Sequence, residues 1–175
     1  MTTLFIDEGK RQGYLLVAAT IADGDAGGLR KAVTALRTPG SERLHFVRES
    51  DGRKRKVLGE LARLGVRTTV MQANGLDDRA ARAWCLEQVV EFAAAVGADR
   101  IVIETDDSIV LTDNRTLFQA LGARDLRERV RYEHRRAASE PLLWLPDAVA
   151  WSYGRGGHWG PLVAPIIERV LRNDA

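Results

Sequence analysis

Two short apolar runs joined by a polar turn open the chain and constrain the fold more than any other feature. Residues 4–6 and 14–21 are rich in strand-forming side chains, and residues 9–13 form a polar turn bounded by glycines. This pattern predicts an antiparallel β-hairpin. Helix-like and strand-like segments alternate after it, which predicts an α/β fold: a mixed sheet with helices on both faces.

The later segments follow from the spacing of apolar residues and from glycine and proline stops. We predict helices near residues 29–36, 51–64, 76–96, 116–121, 142–153 and 161–172, and extended segments near residues 44–47, 66–71, 100–104 and 130–134, the last of these as an edge strand. Residues 24–28 are expected to end the hairpin. The chain of 175 residues is long enough for one domain with a substantial core and shows no repeat or linker, so we predict a single domain spanning residues 1–175.

Composition narrows the classes of protein that the chain can belong to. The net charge of +2 is nearly balanced, so any argument for nucleic acid must rest on local charge. The single cysteine, Cys85, excludes an internal disulfide and a cysteine-based zinc site, and we expect it to be a small buried apolar residue. We see neither a signal peptide nor an apolar stretch of about 18 residues, which predicts a cytoplasmic protein with no membrane partner.

Acidic residues stand where apolar segments should end or stay apolar. Asp7 and Glu8 end the first predicted strand. Glu104 and Asp106 follow the buried run at residues 101–103 and share a face by the period of two. Asp147 lies on the apolar face of a late predicted helix. A carboxylate in such a place is costly unless it is paired or bound to a metal.

Each of these acids also has an ordinary structural explanation. Asp7 and Glu8 can flank a turn and point at water. Asp106 or Asp107 can cap a turn or a helix. Asp147 can lie in the first turn of its helix, where the helix dipole favours a negative charge. Taken one at a time, the acids do not distinguish these explanations from a functional site.

Their arrangement is more specific than any single acid. One acid on the first strand, one on a middle strand and one on a late helix can converge at a single edge of the sheet. Clustered carboxylates repel one another and would be protonated or disordered without a cation. Ligands that are all oxygen suit Mg²⁺ or Mn²⁺, and such ions activate water and stabilise the leaving oxygen of a phosphodiester.

Three short motifs carry a resemblance to a known family. The first strand ends in IDEG at residues 6–9, a mid-chain segment reads ERLHF at residues 42–46, and the late segment reads LPDAVAW at residues 145–151. Together they resemble domain-of-unknown-function family 3800, whose members look like ribonuclease H-fold proteins and are regarded as metal-dependent nucleases. The chain departs from the family's usual start because Gly9 directly follows the acidic pair, and from its late motif because Pro146 replaces an alanine.

The resemblance implies a ribonuclease H-like mixed sheet flanked by helices, with a nuclease site for DNA or RNA. It implies Asp7, Glu104 and Asp147 as catalytic metal ligands for Mg²⁺ or Mn²⁺. Glu8 and Asp106 follow as second-rank metal ligands. The alternative is a non-catalytic ribonuclease H-like module that binds nucleic acid or a protein partner, because a fold does not by itself establish catalysis.

Two basic clusters favour a nucleic-acid partner. Residues 48–56 carry five positive and two negative charges, and residues 124–136 carry six arginines against three acids. Each cluster therefore has a local charge of about +3, enough for several phosphate contacts. A solvated face is the alternative explanation for such runs. The predicted edge strand also leaves a homodimer open.

Histidine and tryptophan residues complete the candidates. We expect His45 to pack in the core or to support the acidic site, with a role as proton carrier as the alternative. His134 lies in a basic run and is expected at the surface, and His158 is expected in a loop that joins two helices, with contact to a substrate phosphate as the alternative. Three tryptophans are expected to pack in the core: Trp144, Trp151 and Trp159.

Overall fold

The computed structural model describes residues 1–173 and contains a six-stranded mixed sheet. The strands are β1 (Thr2–Gly9), β2 (Tyr14–Ala22), β3 (Arg67–Ala73), β4 (Arg100–Glu104), β5 (Arg131–Arg135) and β6 (Ile167–Arg172), in the order β5-β4-β1-β2-β3-β6. β2 is antiparallel to β1 and β3, whereas β4 pairs parallel with both β1 and β5, and β6 with β3. The predicted hairpin, the mixed sheet and the edge position of β5 are confirmed.

Helices cover both faces of this sheet. They are α1 (Asp23–Ala35), α2 (Asp51–Arg63), α3 (Asp78–Val96), α4 (Val110–Gly122), α5 (Trp144–Arg155) and α6 (Trp159–Val163), with single 3₁₀ turns at Phe46–Arg48, Pro141–Leu143 and Ala164–Ile166. Helices α2 and α5 pack on one face, and α3 and α4 on the other. Within residues 1–173 no helix is both long and apolar enough to cross a membrane.

Alternation along β1 and β4 decides which way the acidic side chains point. Phe5 and Val102 belong to the core under α2 and α5, whereas Ile6 and Ile103 belong to the core under α3 and α4. Because successive strand residues face opposite sides, Asp7 and Glu104 face α5. Glu8 and the core under α3 and α4 lie on the opposite side.

Helix α5 approaches the β1–β2 hairpin closely because glycine occupies both sides of the contact. A Cβ atom on Gly9 would lie 3.3 Å from the Cβ of Ala150, and one on Gly154 would lie 3.1 Å from the carbonyl oxygen of Arg11. Ala150 lies one helical turn after Asp147, so the contact of Ala150 with Gly9 also brings Asp147 near the end of β1.

Substituting Gly154 with valine should lower the free energy of unfolding by about 1–3 kcal/mol, because the added side chain forces α5 away from the hairpin. Gly59→Val on α2 is the matched control, since a Cβ at Gly59 meets nothing within 4 Å. Urea unfolding at equilibrium measures both. Equal stabilities of the two variants would contradict the packing argument.

The helix predicted for residues 161–172 is wrong. The chain instead forms the short α6, the 3₁₀ turn Ala164–Ile166 and strand β6. Pro165 has no backbone N–H and its ring clashes with the preceding helical turn, so the helix ends there. The β-branched Ile167 and Val170 then suit a strand, which pairs with β3.

Other predicted boundaries also differ from the structure. Residues 24–28 lie within α1 instead of ending the hairpin, and α4 begins at Val110, before the predicted start at residue 116. Residues 44–47 were predicted as extended, but they lead into the 3₁₀ turn Phe46–Arg48. Leu44 and Phe46 are buried in the core, yet this segment pairs with none of the six strands in the described residues.

Candidate functional site

Asp7 and Glu104 lie at the same edge of the sheet, at the carboxyl ends of two neighbouring parallel strands. β1 and β4 are in register through the pair Ile6 and Ile103, and each acid is the next residue along its strand. Asp147 comes to the same edge from the first turn of α5. The three acids predicted as catalytic ligands therefore come together from three separate elements.

The charges of these carboxylates act on one another. Burial, followed by the negative charges of Asp147 and Glu104, raises the pKa of Asp7 well above its ordinary value, although the Glu8 N–H donates to Asp7 Oδ1 at 2.7 Å. Burial and the charge of Glu104 raise the pKa of Asp147 to about 6, against the opposing effects of Arg43 and the Phe46 backbone. Burial and mutual repulsion therefore both oppose full ionisation of the three carboxyl groups.

The donor set of the cluster is chemically suited to a hard divalent cation. Carboxylate oxygens are the ligands that Mg²⁺ and Mn²⁺ prefer. Across residues 1–173, no group of three or more His, Cys, Asp or Glu side chains is arranged to hold a metal ion. The fit therefore lies in the chemistry of the donors and in their shared electrostatics, and a bound ion requires side chains to move.

A basic segment beside α5 lies directly against the acids. Arg43 Nη1 donates to Glu104 Oε1 at 2.8 Å, and Arg43 Nε donates to His45 Nδ1 at 3.1 Å. Burial and the positive charges of Arg43 and Arg48 lower the pKa of His45. His45 is thus half-buried and contacts the acids only through Arg43, so its role in the site stays a prediction. The ERLHF motif pointed to His45, but it gave no sign that Arg43 contacts an acid.

Glu8 is engaged in a buried ion-pair network on the other face of β1. Its Oε2 accepts hydrogen bonds from Arg82 Nη1 at 2.8 Å and from the Tyr14 hydroxyl. Arg82 also binds Asp113 through two hydrogen bonds of 2.7 Å each. His134 Nε2 lies 3.2 Å from Asp113 Oδ2, and its side chain is only 9% exposed. The prediction of a surface His134 is therefore wrong.

The sequence did not reveal this network because its central residue looks ordinary. Arg82 lies on a long helix, where an arginine is normally solvated, and Asp113 lies in the first turn of α4, where an acid is normally a capping charge. Burial acts to raise the pKa of Asp113, but hydrogen bonds from Arg82 and His134 outweigh it and lower the pKa. Only the packing of α3 against α4 brings the two together.

Asp106 is exposed and holds a turn. Its Oδ1 accepts hydrogen bonds from the Ser108 N–H at 3.0 Å and from the Ser108 hydroxyl at 2.6 Å. A cleft of about 440 Å³ over the strand ends is lined by Asp7, Glu8, Glu104 and Asp106 among others. The capping role expected as the alternative for Asp106 is thus present, and its carboxylate still opens onto the same cleft as Asp7.

Two basic residues of the first cluster, residues 48–56, make contacts within the protein. Arg53 Nε donates to Glu49 Oε2 at 2.7 Å. Lys54 is 6% exposed, and its Nζ donates to the Glu49 carbonyl oxygen at 2.6 Å and lies 4.6 Å from the ring centroid of Trp151. Three charges of this cluster stay exposed: Arg48, Arg55 and Lys56. They follow the segment that carries Arg43.

The second basic cluster does not form one surface. Arg124 pairs with Glu91, far from the strand ends that carry the acids. At the other end of β5, Arg136 Nη2 lies 3.0 Å from Asp107 Oδ2. These ion pairs reduce the local charge of about +3 that the sequence suggested.

Several other predictions concern residues away from the acids. Cys85 is fully buried, and burial raises the pKa of its thiol to about 12, so it is an unreactive core residue as predicted. Trp144 and Trp159 are buried as predicted, and Trp151 contacts the edges of Phe46 and Trp159. His158 is exposed on the loop before α6.

Comparison with known proteins bears on the fold alone. No protein-family model matches the sequence, and no curated protein matches it. Among solved structures, the chain is similar to the ribonuclease HII of Archaeoglobus fulgidus, determined in complex with PCNA, with a TM-score of 0.59 and 19% sequence identity over 89% of this chain and 73% of that one. The six-stranded mixed sheet with flanking helices agrees with this likeness. The chain has a ribonuclease H-like fold.

Proposed function

We propose that the chain is a metal-dependent nuclease that hydrolyses phosphodiester bonds of DNA or RNA. The observation that carries the proposal is the convergence of Asp7, Glu104 and Asp147 at one sheet edge, where burial and mutual repulsion hold the pKa of two of them above the ordinary value. Carboxylates collected in this way stay ionised together only when a cation offsets their repulsion. The ribonuclease H-like fold and the motif resemblance to family 3800 support the same function.

In this proposal the three acids hold one or two Mg²⁺ or Mn²⁺ ions. When bound, such an ion activates water and stabilises the charge that develops on a phosphodiester. Asp7 and Asp147 must be ionised to bind it. Glu8 and Asp106 are proposed as second-rank ligands because both line the cleft over the strand ends, which Asp7 and Glu104 also line. Exposed basic residues beside the site attract the phosphate backbone.

A nuclease assay over single-stranded and double-stranded DNA and RNA, with Mg²⁺, Mn²⁺ or EDTA, tests the proposal. We expect cleavage in at least one metal, none in EDTA, and none by Asp7→Asn, since that change removes a ligand while preserving shape. Asp25→Asn, an exposed acid on α1, is the control and should cleave like the wild type. Cleavage by Asp7→Asn at the wild-type rate would refute the assignment.

The ion pair of Arg43 with Glu104 favours a second candidate function, because it partly neutralises the cluster without a metal. In that case the chain is a non-catalytic module that binds nucleic acid or a protein partner. Thermal unfolding with Mn²⁺ separates the two. A nuclease should gain about 2–3 kcal/mol at an ion concentration near 100 times its Kd, and Asp147→Asn should lose that gain. No response in the wild type would favour the binding module.

A further inference from the structure

Arg43 already supplies a positive charge to the acidic cluster of the candidate site. Its Nη1 contacts Glu104 Oε1 at 2.8 Å, and its positive charge also acts on Asp147. Both side chains of the ion pair are partly exposed, at 34% for Arg43 and 26% for Glu104. The guanidinium therefore lies at the mouth of the site and not in the core.

The backbone that carries Arg43 is irregular. No helix or strand covers residues 37–45 between α1 and the 3₁₀ turn Phe46–Arg48. Arg43 Nε donates to His45 two residues later, so this contact moves with the segment. A side chain of this length on an irregular segment can turn away from Glu104 without disturbing the sheet.

A divalent ion and a guanidinium compete for the same carboxylate. The two cations repel each other, and the hydrogen bond from Arg43 occupies one lone pair of Glu104 Oε1 and weakens this carboxylate as a metal ligand. Arginine also binds phosphate through two parallel hydrogen bonds. A guanidinium displaced by a metal would thus stand beside the scissile region with its donors available.

We propose that Arg43 is the resident counter-cation of the site: the divalent ion displaces it from Glu104, and the freed guanidinium then binds a phosphate of the nucleic acid. This inference rests on the proposed nuclease function and adds a residue that helps to position the substrate. Arg43 therefore weakens binding of the metal ion and strengthens binding of the nucleic acid.

Calorimetric titration with Mn²⁺ tests the first half. Arg43→Gln should bind Mn²⁺ up to about fivefold more tightly than the wild type, since a competing ion pair worth up to about 1 kcal/mol is removed. Arg48→Gln removes the same charge from the same segment, but Arg48 is exposed and has no ion pair among the described residues. It should change the Mn²⁺ affinity by less than about twofold.

Binding of a nuclease-resistant phosphorothioate oligonucleotide in saturating Mn²⁺ tests the second half. Arg43→Gln should bind this probe at least about fivefold more weakly than Arg48→Gln does, because a charge-assisted hydrogen bond to phosphate is lost. A residue with a purely structural role would not move the two affinities in opposite directions. Fluorescence anisotropy of a labelled oligonucleotide gives the second value.

The outcomes separate this inference from the proposed function. If the wild type binds Mn²⁺ and Arg43→Gln matches Arg48→Gln in metal affinity, the inference is overturned and the nuclease proposal stands. Weaker Mn²⁺ binding by Arg43→Gln, or unchanged oligonucleotide binding, also overturns it. If neither the wild type nor Arg43→Gln binds Mn²⁺, both fail together. Mn²⁺ binding by Arg43→Gln alone would mean that the ion does not displace Arg43 in the wild type, and it also overturns the inference.

Discussion

Replacing Arg82 with alanine should lower the free energy of unfolding by about 3–5 kcal/mol, the range for breaking a buried ion pair. The Arg82 side chain is 9% exposed and that of Asp113 is 1% exposed. Truncation leaves Asp113 buried without its two hydrogen bonds and removes a donor from Glu8. Removing these charges from water costs free energy on folding, and their mutual attraction offsets that cost only while both partners are present.

Arg67→Ala is the control for this prediction. Arg67 pairs with Glu168 at 3.0 Å, but the two side chains are 70% and 52% exposed. Exposed pairs of this kind contribute about 1 kcal/mol or less. Urea unfolding of both variants gives the comparison, and a loss in Arg82→Ala no larger than in Arg67→Ala would show that the network does not stabilise the fold.

Arg82→Met with Asp113→Leu is the second variant, because apolar replacement of both partners can be nearly neutral where removal of one is costly. We expect it to recover most of the stability that Arg82→Ala loses. Calorimetric titration of this double variant with Mn²⁺ then tests whether Glu8 is a metal ligand.

If it is, as its place on the cleft allows, the loss of its ion pair with Arg82 should change the Mn²⁺ affinity relative to the wild type.

The sequence predicted those features that depend on local periodicity. The apolar run through Leu4, Phe5 and Ile6 predicted the first strand, and the period of two along any strand implies that Asp7 and Glu8 point to opposite faces. The sequence also put Asp7, Glu104 and Asp147 forward as a cluster, since each ends or interrupts an apolar segment. Their joint effect on pKa agrees with that hypothesis.

Features that depend on contacts between distant segments were missed. Arg43 and Glu104 are 61 positions apart, and Arg82 and Asp113 are 31 apart, so no periodicity links them. The C-terminal strand was missed because apolar residues at 163, 166, 167 and 170 fit a helical spacing. The strand forms because Pro165 ends the helix and because the edge of β3 offers a pairing partner. Of these two causes, only the proline can be seen in the sequence.

Replacing Asp147 with asparagine should stabilise the metal-free protein at about pH 7.5 by up to about 3 kcal/mol, because a pKa raised from 3.8 to about 6 corresponds to that free energy. Burial and the nearby charge of Glu104 oppose ionisation of Asp147 in the folded state. Asparagine removes the negative charge, while its side-chain oxygen can still accept from the Phe46 backbone. The candidate site would thus lower the free energy of unfolding of the metal-free protein while providing a ligand for a cation.

The pH dependence gives this prediction its sign. Between about pH 4 and pH 6 the folded wild type binds more protons at Asp147 than the unfolded chain does, so its stability falls as the pH rises through that window. Below about pH 4 both states are protonated, and the advantage of Asp147→Asn should vanish. Urea unfolding in EDTA across this pH range measures the difference in stability between Asp147→Asn and the wild type.

Saturating Mn²⁺ at about pH 7.5 should make the wild type the more stable of the two, because only the wild type keeps the Asp147 carboxylate as a metal ligand. A variant that is less stable than the wild type in EDTA would mean that Asp147 is a structural acid and not part of a site under electrostatic strain.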